Sequence, residues 1–389
     1  ERKRKNSDSC ENMAGVEGDT CPGMMKRRCG GDGKYIKDPC VSKSSTSSPS
    51  SSSISSVDIG SILKLPVGIG ASSIPYLVVK RKGAGISSVV FECRCQADTG
   101  MSEHEVVTVK VMSGGNLGLK TCLQEVETLS FLKLKREEAG LGHGEAHFVE
   151  MISWFYRHSA LGSIDNVCLV FAGGGVSLLE IMREKSETEQ SWGLRETLSV
   201  AKGLLGGISF VHSMGLIHAD IKPENIAIYP KTSSTTQPNV PSLQTTQHSL
   251  ASPMSNPPSS LVRLIDFGNA VFSSDAQPGV TAGTPSYLSP EARLGHAWGP
   301  GVDTWAVGCV LYELITGERF GSAQDGAKGV TWCRGGSVGL RMCSCGVDAW
   351  CRAHGLGNPG LMRLVGRLLQ EDPRVRSSAK EALQDPCLL

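Results

Sequence analysis

The stretch His218-Ala219-Asp220-Ile221-Lys222-Pro223-Glu224-Asn225 constrains this chain more than any other. An apolar run of helical character, Leu204 to Ile217, leads into it, and a short strand-like run, Ile226-Ala227-Ile228, leads out. Pro223 fixes its own φ and lacks a donor, which predicts a rigid loop between helix and strand. That loop gathers a carboxylate (Asp220), an ammonium (Lys222) and an amide (Asn225). A second carboxylate, Asp266, follows another apolar strand-like run in Leu264-Ile265-Asp266-Phe267-Gly268. Phosphoryl transfer needs a carboxylate to orient and deprotonate a hydroxyl, oxygen ligands for magnesium, and positive charge on the migrating group. Two acids, a lysine and an asparagine suit that chemistry.

Together the loop and the Asp-Phe-Gly element resemble those of eukaryotic protein kinases. Further stretches extend the resemblance in chain order. Tyr76 to Val79, Val89 to Phe91 and Val106 to Val111 read as β-strands, rich in branched residues. Between the first two lies Gly83-Ala84-Gly85-Ile86-Ser87-Ser88-Val89-Val90. It joins two strands instead of opening a helix, which argues against a dinucleotide fingerprint. It is similar to the kinase glycine-rich loop, with Ser88 at the third glycine and Val90 as the apolar residue over the purine. Val107-Thr108-Val109-Lys110 resembles the strand whose lysine holds the α and β phosphates.

Apolar residues spaced three and four apart predict an amphipathic helix over Leu123 to Leu134. Glu125, with Leu129 one turn on, fits the family's partner for Lys110, and Glu127 is the competing assignment. Phe148 to Tyr156 and Asn166 to Phe171 read as two further strands. By resemblance Phe171 guards the back of the nucleotide pocket, and the backbone of Ala172-Gly173 reads adenine. Gly173-Gly174-Gly175 offers no side chains as braces, so a pliant hinge is expected.

Helical stretches frame the loop, from about Leu194 to Met214 and from Val302 to Gly317. The second is apolar nearly all round, as a buried helix should be. Its Asp303 and Trp305 match a family pattern in which the Asp binds the catalytic-loop backbone. Gly283-Thr284-Pro285-Ser286-Tyr287-Leu288-Ser289-Pro290-Glu291 looks like the end of a kinase activation segment. The family pattern pairs Glu291 with Arg376. One departure is Ala219, where most members carry Arg. That Arg usually receives an activation-segment phosphate, so a switch at Thr281 is expected to matter little.

The resemblance implies an α+β, two-lobed protein kinase fold over residues 70–389. It divides into a β-rich N-lobe (70–171), a hinge (172–175) and a mainly helical C-lobe (176–389). Ser, Thr, Pro and Gln dominate 231–260, read as a disordered insert, and residues 1–57 read as a disordered, basic and Ser-rich tail. The implied reaction moves the γ-phosphoryl of ATP to protein Ser or Thr hydroxyls, with Mg2+ or alternatively Mn2+. Asp220 and Lys222 are the catalytic candidates. Gly83, Gly85, Val90, Lys110, Glu125, Ala172, Gly173, Asn225 and Asp266 are the nucleotide-site candidates, with Asn225 and Asp266 as the metal ligands. The rival reading is a pseudokinase scaffold that binds ATP or partners without efficient catalysis.

Composition sets the setting. With 39 basic and 38 acidic residues among 389, bulk charge argues for neither a nucleic-acid nor an acidic-membrane partner. No apolar run approaches the roughly 20 residues of a membrane span. The 14 cysteines are scattered, several inside apolar runs, so a reducing, intracellular setting is expected, cytoplasmic or nuclear. The chain begins at Glu1, so its true start is expected to be missing. Protein substrates and a monomer complete the expectation. Neither Cys10, Cys21, Cys29 and Cys40 nor Cys333, Cys343, Cys345 and Cys351 has the usual spacing of zinc ligands.

Overall fold

Strand residues alternate between two cores, and that alternation aims Lys110. The computed structural model describes residues 57–66, 73–85, 88–96, 106–113, 115–142, 147–158, 164–230, 260–276, 283–320 and 359–389. Six strands form an antiparallel sheet: β1 (Ile62–Pro66), β2 (Ser73–Ala84), β3 (Ser88–Cys95), β4 (Val106–Ser113), β5 (Met151–His158) and β6 (Ile164–Ala172). Their spatial order is β1-β2-β3-β4-β6-β5. Val107, Val109 and Val111 of β4 join Cys168 and Val170 of β6 in one core with Val78, Phe91 and Cys93. Residues out of phase with these, Leu169 and Phe171 of β6 among them, join a second core. Lys110 is likewise out of phase, which directs its ammonium to α1 (Asn116–Glu138).

The sheet starts earlier than the expected boundary at 70. Ile62–Pro66 pairs antiparallel with residues 73–77 of β2, and Val57 and Leu63 are buried beside Tyr76. Burial of these two side chains makes residues 57–66 part of the first lobe. The signal was faint because only one face of β1 is apolar inward: Leu63 is buried while Ile62 is exposed.

Beyond the linker come β7 (Val176–Ser177), α2 (Leu178–Glu187), α3 (Leu194–Ser213) and β8 (Leu216–Ile217). They are followed by β9 (Ile226–Pro230), β10 (Ser260–Leu264), β11 (Val271–Phe272), α4 (Pro290–Arg293), α5 (Gly301–Thr316), α6 (Pro359–Leu368) and α7 (Ala379–Ala382). α5 is buried continuously from Asp303 to Leu314. It packs against α3 and α6, where Gly308 leaves room for Leu369; an added Cβ would lie 2.8 Å from that side chain. The fold is α+β and two-lobed.

One hairpin matters most for the site. β9 and β10 pair from Pro230↔Ser260 to Ile226↔Leu264. The hairpin's open end therefore delivers Asn225 and Asp266 side by side, tied by Ile265 N–H donating to the Asn225 carbonyl at 3.0 Å. Its other end carries residues 231–259, which lie outside the described residues, as do 1–56, Ile86, Ser87, Thr281 and both cysteine groups considered above.

Candidate active site

Lys110 donates to Glu125 Oε2 at 2.6 Å and to Asp266 Oδ1 at 2.8 Å. The first contact joins β4 to α1, and the second reaches across to the other lobe. Glu125 is fully buried and Glu127 is exposed, so helical periodicity turns one acid inward and leaves the other in solvent. Burial opposes the Lys110 charge, but the Glu125 and Asp266 carboxylates outweigh it and hold its pKa above the ordinary lysine value. Burial also pushes the Glu125 carboxyl up, against the pull of Lys110. Asp266 goes the other way: burial would raise it, but Lys110 keeps it below the usual carboxylate range.

Asp303, 1% exposed, builds the loop from beneath. Its Oδ2 accepts from the His218 N–H at 2.8 Å and its Oδ1 from the Ala219 N–H at 2.8 Å. His212 Nε2 lies 2.9 Å from Oδ2. These contacts hold Ala219 in the left-handed region, at φ +63°. His218 is fully buried, its ring 4.7 Å from that of Phe267. Its Nδ1 accepts from the Asp220 N–H at 3.3 Å while Nε2 faces the Ile265 carbonyl at 3.1 Å, which places the ring hydrogen on Nε2.

On that base Asp220 becomes a hub. Its Oδ2 accepts from Lys222 Nζ at 2.9 Å and Asn225 Nδ2 at 3.1 Å, and its Oδ1 from Thr284 Oγ1 at 2.8 Å. Lys222 also donates to Thr284 Oγ1 at 2.8 Å. Pro223 opens a single 3-10 turn, Pro223–Asn225, which brings the Asn225 amide back to the Asp220 carbonyl at 2.9 Å. The structure thus brings Asp220, Lys222 and Asn225 together, and Lys110, Glu125 and Asp266 together, on the two sides of the β9–β10 opening.

Asn225 and Asp266 fit a hard divalent cation. With Nδ2 committed to Asp220, the amide oxygen is the Asn225 atom suited to a metal. Asp266 keeps a half-exposed carboxylate with Oδ1 on Lys110. Among the described residues no group of three or more His, Cys, Asp and Glu is placed to hold a metal. Two oxygen donors match a cation that completes its shell with phosphate oxygens and water.

Gly83 lies opposite Val90 across β2 and β3, and the Gly85 N–H donates to the Ser88 carbonyl at 2.8 Å. In the linker, Ala172 N–H donates to the Glu150 carbonyl at 3.1 Å and Gly173 N–H to the Val106 carbonyl at 3.2 Å. Both of these linker amides are thus committed to main-chain carbonyls. The linker is also braced. A Cβ at Gly173 would lie 2.5 Å from the Val106 carbonyl oxygen, and one at Gly175 would lie 2.6 Å from the Tyr229 ring. Tyr229 donates its hydroxyl to the Ala172 carbonyl at 3.3 Å, with the Arg263 guanidinium 4.6 Å from its ring. Both glycines serve close approach, Gly173 to β4 and Gly175 to the Tyr229 ring of β9.

Below the loop, Gly283 takes φ +109° and passes so near Ala219 that a Cβ would lie 2.6 Å from its carbonyl oxygen. Tyr287 donates to Glu313 Oε2 at 2.7 Å. Glu291 and Arg376 form a buried fork, Nη1 to Oε1 at 2.6 Å and Nη2 to Oε2 at 2.9 Å. Two contributors escaped the sequence reading: Tyr229 and Asn269, whose Nδ2 lies 3.4 Å from Asp220 Oδ2. Asn269 was findable from its place beside Asp-Phe-Gly, whereas Tyr229 acts through contacts no local pattern announces.

Comparison with known proteins finds relatives along most of the chain. The pattern of the protein kinase domain matches residues 76–388. The serine/threonine-protein kinase AFC1 of Arabidopsis thaliana is 29% identical over 251 residues, covering 62% of this chain and 48% of that protein. The dual specificity protein kinase CLK1 of Mus musculus is 23% identical over 350 residues, covering 81% of this chain and 66% of that protein. The chain spans about half the length of most of the curated relatives it matches first. A crystal structure of a kinase domain superposes with a TM-score of 0.55 at 18% identity, covering 81% of this chain and 95% of the other. By its fold, its site and a family match over most of its length, this chain belongs to the protein kinase domain family.

Proposed function

We propose that this chain is an ATP-dependent protein serine/threonine kinase that transfers the γ-phosphoryl group to protein Ser and Thr hydroxyls. The observation that supports it most is the hub at Asp220, assembled within reach of the Lys110–Glu125–Asp266 cluster. Bound Mg–ATP supplies the transferable phosphoryl group and the cation that offsets its charge. Lys110, fixed by Glu125, is placed to neutralise α and β phosphate oxygens. Asp266 and Asn225 are the ligands that would hold the cation. Asp220 orients the acceptor hydroxyl and takes its proton late, because a carboxylate is too weak a base to do so early. Lys222, beside Asp220, stabilises charge on the migrating group. Thr284 gives the hub a hydroxyl contact, in keeping with a serine/threonine preference. The buried, unbridged thiols of Cys93, Cys122, Cys168 and Cys309 favour a reducing cytoplasmic or nuclear setting, and we take the acting unit to be a monomer.

The test is incorporation of labelled γ-phosphate into a generic protein acceptor by wild type and Asp220→Asn. Wild type is expected to label Ser and Thr. The variant should lose about 10²–10⁴-fold in kcat while ATP affinity changes little. A wild-type chain that binds ATP and transfers nothing would instead be a scaffold.

A further inference from the structure

We propose that Lys82 is a positioning residue that clasps the glycine-rich strand to the interlobe linker and so sets the affinity of the site for nucleotide. The proposal rests on the kinase reading above and adds a residue to it. Lys82 is the last residue of β2 before Gly83, and its side chain is only 15% exposed. Its Nζ donates to the main-chain carbonyl of Gly175, and the Glu92 carboxylate lies 3.7 Å away. Burial lowers the Lys82 pKa, the nearby Glu92 and Glu180 carboxylates opposing it. A largely buried ammonium needs acceptors, and the Gly175 carbonyl supplies one beside the Glu92 carboxylate.

The point it grips is fixed. Gly175 sits against the Tyr229 ring so closely that no side chain fits there, and Tyr229 is in turn backed by Arg263. Lys82 thus ties the strand leading into the glycine-rich turn to a closely packed part of the linker. Two positions earlier Lys80 reaches Glu180 of α2 at 3.0 Å, a second link from β2 to the other lobe. Those two side chains are 57% and 44% exposed, and such pairs contribute little. The clasp joins β2 to the linker and involves none of the side chains that contact Asp220. Its effect belongs on nucleotide release and not on transfer.

The experiment uses the full chain and a fluorescent ADP with magnesium, measuring equilibrium Kd and dissociation rate, with kcat at saturating ATP alongside. Lys82→Met keeps the stem and removes the ammonium; Lys82→Gln is a second variant should the first not melt cooperatively. Each is expected to raise Kd and the dissociation rate about fivefold to tenfold with kcat within twofold. Lys82→Arg should recover most of the affinity, and Lys80→Met should stay within twofold of wild type. A Kd within twofold of wild type for Lys82→Met and Lys82→Gln, or a fall in kcat at unchanged Kd, overturns the clasp alone. A wild-type chain that binds no nucleotide overturns both the clasp and the kinase reading.

Discussion

Lys222 bridges two oxygens, Asp220 Oδ2 at 2.9 Å and Thr284 Oγ1 at 2.8 Å. Removing it leaves the Asp220 carboxylate with amide and hydroxyl donors only, and strips a fixed positive charge from the place where charge develops. Lys222→Ala should lower kcat about 10²–10³-fold with little change in KM for ATP, as for loss of one preorganised donor. Steady-state kinetics at varied ATP checks this. Residues of this kind were legible from sequence because the chemistry dictates their type and the rigid Pro223 turn dictates their spacing. Gly173 was less so: whether its amide faces a ligand or the Val106 carbonyl depends on a strand over sixty positions earlier, and no local pattern carries that.

Among the elements, the fork between Glu291 and Arg376 ties α4 to the segment after α6. Arg376 also donates to the Gly301 carbonyl at 2.8 Å and lies 5.1 Å from the Trp305 ring. Arg376→Met would strand a buried carboxylate. It should cost about 3–5 kcal/mol in urea unfolding, with Arg376→Met/Glu291→Gln recovering part of that loss. Asp303 makes a different statement, about pH. Burial would raise its pKa, but the His212 contact and the loop amides hold it below the ordinary value. A depressed folded pKa gives stability that is present above the unfolded value, near 3.9, and is lost as pH falls through the folded one. Asp303→Asn should therefore be less stable at pH 7 and show a shallower loss of stability below about pH 4, followed by urea midpoints from pH 5 to 3. Element boundaries were partly legible. α1 runs from Asn116 to Glu138, longer than the apolar spacing over Leu123 to Leu134 suggested. Its last turns, rich in Lys, Arg and Glu, are good helix formers without an apolar stripe to reveal them.

At the scale of the whole molecule, the order of motifs along the chain is what made the two-lobed fold readable. Lys110 and Asp266 are far apart in sequence, yet the two patterns assign both to one site, and the structure pairs them at 2.8 Å across the lobes. The early start of the first lobe at Val57 and the bracing of the linker by Tyr229 lay outside those patterns, because both depend on which surfaces meet and not on any repeat. Under the proposed function, both lobes converge on a single nucleotide. A crystal structure with magnesium and a non-hydrolysable ATP analogue tests this most directly. The cation should be held by Asp266 and the Asn225 oxygen, Lys110 should lie on the α and β phosphates, and the last phosphate should lie within reach of Asp220 and Lys222. Nucleotide bound elsewhere, or bound with Lys110 turned from its phosphates and the cation on neither residue, would contradict a shared site.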